Sequence, residues 1–256
     1  MKIAILHLGG SGAALARAAA ERLPFYAGEG STALIYEPAA SGGLPPQFAR
    51  AFASSDGIVA IMALGIVTRM LAPLVRSKLS DPAVVAIDDQ GRYAVSVLSG
   101  HEGGANRLAY WVGAATGAEP VISTGTETNK RLVAGVGCRR GVQTESVLAA
   151  LAEALSRCGA CKEELRLIAS AAIKRDEAGL VEAARRLDLP LLFLPERSIR
   201  EFQGPFARSE AAIRRVGLPA VAEPCALLAA RDAKLALRRI VHSGVTVAIA
   251  REELRW

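Results

Sequence analysis

Short unbroken apolar runs alternate along the chain with longer segments in which apolar residues recur every three to four positions. Residues 2–8 form an apolar run closed by a Gly turn, and an Ala-rich helical pattern follows over about 11–23. Short strands are predicted at 33–36 and 57–62, and a helix near 65–75 follows the second. Runs at 83–88 and 93–98 flank Asp89-Gln90-Gly91, whose composition marks a turn. A helix over about 103–116 and a strand at 120–123 complete this half. The βαβ rhythm predicts a doubly wound sheet, whose ligand crevice lies beyond the carboxyl ends of its strands.

The rhythm restarts after 124–131, where Gly125, Thr126, Thr128 and Asn129 read as a linker. Strands are predicted at 132–136, 165–170, 191–194 and 244–250. Thr144 can cap a helix that carries Val147, Leu148, Leu151 and Leu155 on one face. Further helices are predicted near 179–187, 209–216 and 222–230. The expected fold is α/β, with two Rossmann-like domains of mainly parallel sheet, one over residues 1–129 and one over 130–256.

Composition agrees with that architecture. Hydrophobic residues make up 51% and aromatics only 5%, so Ala, Val, Ile and Leu must build cores of the kind that parallel sheets use. No run approaches the roughly 18 apolar residues of a membrane span. The first residues enter a strand directly, without a secretory signal pattern, so a cytoplasmic location is expected. Cys138, Cys158, Cys161 and Cys225 are too scattered for a disulfide framework. Cys158 and Cys161 form a lone C-x-x-C at a helix end, with no further ligands spaced for zinc.

Charge is uneven. Residues 1–130 hold ten Lys/Arg and ten Asp/Glu, whereas 131–256 hold 21 and 15, the whole of the +6 excess. A basic half suits a polyanionic partner, and it also suits a soluble Arg-rich surface. Nucleic acid is not the expected partner, because no reading motif or set of aromatic platforms accompanies the charge.

Four clusters carry candidate chemistry. His7-Leu8-Gly9-Gly10-Ser11-Gly12 follows the first strand, but Leu15 stands where a dinucleotide fingerprint needs its third glycine, so a tight turn is expected. Gly65-Ile66-Val67-Thr68-Arg69 follows a buried strand, and Lys78 lies in the loop beyond; Arg69 can clamp a carboxylate or simply face solvent. Ser99-Gly100-His101-Glu102-Gly103-Gly104-Ala105-Asn106 is the densest cluster, placed between a strand and a helix. Its glycines expose amides, His101 can exchange a proton near neutral pH, Glu102 is a second acid/base candidate, and Asn106 offers a donor and an acceptor. Gly135-Val136-Gly137-Cys138-Arg139-Arg140-Gly141 also joins a strand to a helix, and its arginines beside that helix N-terminus suggest an anion pocket. Lys174 and Glu177 can line the same mouth, or merely open a charged helix.

In this order the clusters resemble the cobalt-precorrin-5A hydrolase family of anaerobic cobalamin (vitamin B12) biosynthesis. The resemblance runs from Gly65 through Pro73, Lys78, Asp81-Pro82, the Ser99–Asn106 cluster and Pro120-Val121-Ile122-Ser123-Thr124. It resumes at Gly135 through Gly141, Lys174, Asp176-Glu177-Ala178-Gly179-Leu180, Val221-Ala222-Glu223 and Ser243 through Ala248. Many members carry a middle domain between these blocks, which about ten residues replace here. The resemblance implies hydrolysis of the ring-A lactone of cobalt-precorrin-5A, with loss of acetaldehyde, to give cobalt-precorrin-5B. His101 and Asn106 fall on its motif and, with Glu102 between them, are the catalytic candidates. Arg69, Lys78, Gly103, Gly104, Cys138, Arg139, Arg140, Lys174, Glu177 and Glu223 would bind the substrate, a tetrapyrrole that brings its own cobalt. No protein metal site, cofactor or membrane partner is implied, and monomer and homodimer both remain open. The alternative is a non-catalytic carrier of corrinoid precursors in the same pathway.

Overall fold

The computed structural model describes residues 1–38, 43–125 and 130–253. The chain divides into two compact units, Met1–Thr126 and Glu127–Trp256. Of the expected linker, residues 126–129 lie outside the described residues.

In the first unit, β1 (Lys2–His7) leads into α1 (Ser11–Ala27), β2 (Thr32–Tyr36), α2 (Leu44–Ser54), β3 (Gly57–Ile61) and α3 (Leu64–Leu71). Then come β4 (Ala83–Ile87), β5 (Tyr93–Leu98), α4 (Ala105–Thr116) and β6 (Glu119–Val121). The six strands stand in the order β2-β1-β3-β4-β5-β6. Strands β3 and β4 are buried along their whole length, as central strands covered on both faces must be. Successive side chains point to opposite faces. Ala4, Leu6, Ile58, Ala60, Val84 and Ala86 therefore share one face, where they pack with Phe48 and Ala51 of α2 and Val67 and Leu71 of α3. Helices α1 and α4 lie against each other and against strands of the sheet.

One strand pair changes the geometry of the unit. The hairpin at Asp88–Arg92 is short enough to turn the chain back directly, so β5 runs antiparallel to β4, with Val84 beside Leu98. Strand β6 then runs parallel to β5. The carboxyl ends of β5 and β6 consequently lie on the rim where β3 and β4 begin. The carboxyl ends of β1 and β3, His7 and Ile61, lie on the opposite rim.

The second unit contains β7 (Leu132–Cys138), α5 (Thr144–Cys158), β8 (Leu165–Ala171), α6 (Ala178–Arg186), β9 (Leu191–Leu194), α7 (Glu196–Glu201), α8 (Glu210–Val216) and α9 (Ala222–Leu228). It ends with the hairpin β10 (Ala233–His242) and β11 (Val245–Glu252). The sheet order is β10-β11-β7-β8-β9. Strands β7, β8 and β9 are parallel, and β11 pairs antiparallel with both β7 and β10. Helix α9 sits directly on β7, because Gly135 has no side chain: a Cβ there would run into the Ala222 carbonyl. Among the described residues no helix is long and apolar enough to cross a membrane.

Candidate functional site

In the first unit the reversed strand decides which candidates meet. The Ser99–Asn106 cluster leaves the end of β5 on the rim where β4 begins. The chain returning from α3 reaches the same rim through the 72–82 loop. Asp81 is buried and ties that loop down, its Oδ2 accepting from the amides of Arg76 at 2.8 Å and Ser77 at 3.0 Å. Lys78 Nζ then reaches Glu102 Oε1 at 2.8 Å. The Lys78 hydrogen bond, reinforced by Glu102's own amide, holds the Glu102 carboxyl below its usual range. Glu102 is thus an ionised partner of Lys78 at neutral pH, a poor state for a proton donor. The sequence placed Gly65 at the ligand-binding end of the sheet together with this cluster. Gly65 in fact opens α3 on the opposite rim, because β5 is reversed. Arg69 lies in the last turn of α3, exposed to solvent.

The corner itself is tightly built. Ser99 takes a left-handed backbone conformation, φ 57°, uncommon for a residue with a side chain. Its carbonyl accepts from the amide of Ala105 at 3.1 Å, and the Gly100 carbonyl accepts from that of Asn106 at 3.0 Å. Asn106 is buried and engaged at both ends: Ser96 Oγ donates to Oδ1 at 2.8 Å, and Nδ2 donates to Thr124 Oγ1 at 2.6 Å. The amide thus staples β5, α4 and the segment after β6 together. Gly103 packs directly over Ser99, and any Cβ on it would strike the Ser99 side chain. Among the described residues, the amides of Gly103 and Gly104 donate to no acceptor. Beside them His101 is exposed. An exposed imidazole and amides without an acceptor among the described residues are groups that an acyl-carbon reaction can use.

Ser99 is the residue that sequence reading passed over. It is only 6% exposed, and its Oγ has no hydrogen-bond partner. Neither feature has a signature in the sequence, because both follow from the backbone twist at the end of β5.

In the second unit the parallel strands β7 and β8 bring Cys138, Arg139, Arg140, Lys174 and Glu177 to one rim. The β10–β11 turn joins them, with Gly244 close to the Arg139 guanidinium. The amides at the approach to α5 are not an open anion pocket, which corrects the sequence reading. Glu177 fills them, its Oε1 accepting from Gly141 N at 2.8 Å and Val142 N at 3.1 Å. Lys174 Nζ lies 3.5 Å from Glu177 Oε2, both side chains largely buried. Glu223 is likewise occupied, accepting from the amides of Ala207 at 2.7 Å and Arg239 at 3.1 Å. Glu177 therefore braces a loop, and Glu223 ties the Ala207 segment to β10. Arg139 and Arg140 are exposed and remain available to an anion. Burial pushes the Cys138 thiol up to about 11, against the opposing charge of Lys174. A thiol in that state is neither a ready nucleophile nor an anion.

Two family profiles match the chain: "Cobalamin synthesis G N-terminal" over residues 47–127 and "Cobalamin synthesis G C-terminus" over 132–250. The cobalt-precorrin-5A hydrolase of Salmonella typhimurium is 26% identical over 300 aligned positions, covering 81% of this chain and 85% of that protein. The alignment is longer than the chain itself, so the Salmonella protein carries inserted residues within the matched span. The Priestia megaterium protein of the same name is 51% identical over 81 residues, 32% of this chain and 22% of its own. A crystal structure of CobE, a protein from the cobalamin biosynthetic pathway, is 32% identical over 49% of this chain and 93% of its own, with a TM-score of 0.46. With both profiles of one family matched in order on successive units, the chain belongs to the cobalamin synthesis G family and to cobalamin biosynthesis.

Proposed function

We propose that this protein is a cobalt-precorrin-5A hydrolase, which opens the ring-A lactone of its tetrapyrrole substrate and releases acetaldehyde to give cobalt-precorrin-5B. The observation that carries the reading is the strand-to-helix corner at 99–106, where the amides of Gly103 and Gly104, without an acceptor among the described residues, adjoin the exposed His101 in a chain of this family. Relatives named for this hydrolase support it.

Lactone opening needs an activated water and donors for the oxyanion that forms on the carbonyl. His101 accepts the proton of the attacking water. The Gly103 and Gly104 amides stabilise the oxyanion, which collapses by expelling the ring oxygen as the hydroxyl of the methyl-bearing bridge carbon. That hydroxyl then loses its proton as the carbon–carbon bond breaks. Acetaldehyde leaves, and the bonding pair stays with the conjugated macrocycle. Cobalt enters as part of the substrate. Asn106 keeps the corner in shape. Lys78, Arg69, Arg139 and Arg140 bind peripheral carboxylates, Lys174 and Glu177 support the loop that presents Arg139 and Arg140, and Glu223 ties the segment at Ala207 to β10.

Anaerobic incubation of the purified protein with cobalt-precorrin-5A tests the reading. Stoichiometric acetaldehyde is expected, and His101→Ala should lower its rate by about 10²–10⁴-fold, the scale of a lost general base. An absorption shift without aldehyde would mark a carrier instead. Full activity of the His101 variant would remove the imidazole from the mechanism.

A further inference from the structure

We infer that His242 is an axial ligand for the cobalt of the tetrapyrrole, bound through an imidazole nitrogen at the rim of the second unit; this rests on the reading above that the substrate is a cobalt tetrapyrrole. His242 ends β10 opposite Val245 of β11, and Val245 lies opposite Cys138 of β7. Residues opposed in this way project to one face of the sheet, so His242 shares the row of Cys138, two strand spacings or about 10 Å away. Ser243 and Gly244 close the hairpin in left-handed backbones, φ 50° and 78°, and so tight a turn pins the last position of the strand. An added Cβ on Gly244 would stand 3.9 Å from Arg139 Nε, so the turn and the guanidinium are neighbours.

The chemistry of that rim matches a metallated ring. Arg139 and Arg140 offer charge for peripheral carboxylates, Ile173, 55% exposed just beyond β8, offers an apolar surface, and His242 offers a nitrogen. The His242 imidazole is half-buried and has no hydrogen-bond or ion-pair partner among the described residues. The chain has three histidines, and the other two stand in the first unit. His7 is buried, its Nδ1 accepting from the Gly9 amide at 3.0 Å, and His101 belongs to the 99–106 corner. Among the described residues no three metal-ligating side chains stand together. A cobalt ion already held in its plane by the ring nitrogens needs no such cluster, because one neutral imidazole on the axis suffices, as it does for haem iron. The nitrogen lone pair forms the cobalt–nitrogen bond, and no electron or proton is transferred. A ring anchored by its carboxylates on the arginines and by its metal on His242 is fixed in both place and orientation.

Electron paramagnetic resonance of the protein, frozen anaerobically with the cobalt(II) form of cobalt-precorrin-5A, tests the assignment. The native signal should show a nitrogen triplet splitting that becomes a doublet when the histidines carry nitrogen-15. His242→Ala and His242→Gln should both lose that splitting, and His101→Ala should keep it. An unsplit native signal, or a histidine splitting that survives in the His242 variants, overturns the inference, and the native measurement does so without reliance on how well any variant folds. Acetaldehyde release together with an unsplit native signal removes the ligand and leaves the hydrolase reading standing. A native splitting without acetaldehyde keeps the ligand and overturns the hydrolase reading in favour of a carrier.

Discussion

Asp81, Glu177 and Glu223 are each buried, and each accepts from two backbone amides. Such carboxylates do for loops what caps do for helices. Removing one strands two donors in a place that water barely reaches. Glu177→Ala is therefore expected to destabilise the second unit by about 1–3 kcal/mol, read as a lower urea midpoint. Glu177→Gln, which still offers an acceptor oxygen, should cost less. This arrangement was not legible in the sequence. A glutamate at the start of a helix pattern looks like a dipole partner, and nothing in its spacing from Gly141 announces that it reaches back 36 residues. Cys138 makes a complementary case. Its place among glycines and arginines suggested anion chemistry, but burial raises its pKa to about 11. At pH 7 iodoacetamide should modify exposed Cys161 well before Cys138, as mapped by peptide mass spectrometry.

The β4–β5 hairpin is the element whose consequences were least visible beforehand. Both strands and the turn between them were legible from alternation and from Asp89-Gln90-Gly91. Their mutual direction was legible too, since so short a connection allows only an antiparallel pair. What the βαβ pattern hid was the result for the rest of the sheet, because it assigned every loop to one rim. Asp88 holds this hairpin. Burial raises its pKa, but the amides of Tyr93, Gln90 and Arg92 and the Arg92 guanidinium outweigh that and lower it below 3.8. A lowered folded-state pKa means that the unfolded chain binds more protons, so this contribution is present above the unfolded value and is lost as pH falls through the folded one. Asp88→Asn should flatten the loss of stability on acidification below about pH 4, measured by urea melts across that range. Strand β10 and helix α2 had no clear signal. Strand β10 is an edge strand interrupted by Lys234, Arg238 and Arg239, as exposed edges are. Helix α2 opens with two prolines that mimic a loop but suit a first helical turn. The packing of α9 on β7 is testable at Gly135. Alanine there would press a methyl into the Ala222 backbone, and an overpacking cost of at least about 2 kcal/mol is expected in chemical denaturation.

At the scale of the molecule, the net positive charge belongs to residues 131–256, and part of it stands on Arg139 and Arg140 at the rim of the second sheet. A substrate bearing many carboxylates should bind less tightly as salt screens this charge. Replacing Arg139 and Arg140 together with alanine should weaken binding by about tenfold or more and flatten its dependence on ionic strength, as read by absorbance titration. The two-part organisation and the α/β class were legible in the sequence, because strand and helix periods are set locally. Which candidates are tied up in hydrogen bonds and which stay exposed was not, because it depends on hydrogen bonds between segments far apart in the chain.

The inverted β5 has one more implication. Doubly wound sheets ordinarily receive ligands where the strand order reverses, here between β1 and β3 beside Gly9 and Gly65. The corner at 99–106 lies on the other border of the same sheet. A small molecule lodged at the strand-order reversal would thus leave that corner physically unobstructed. On the proposed reading, inhibition by such a molecule should be non-competitive, as read from initial rates at varied cobalt-precorrin-5A.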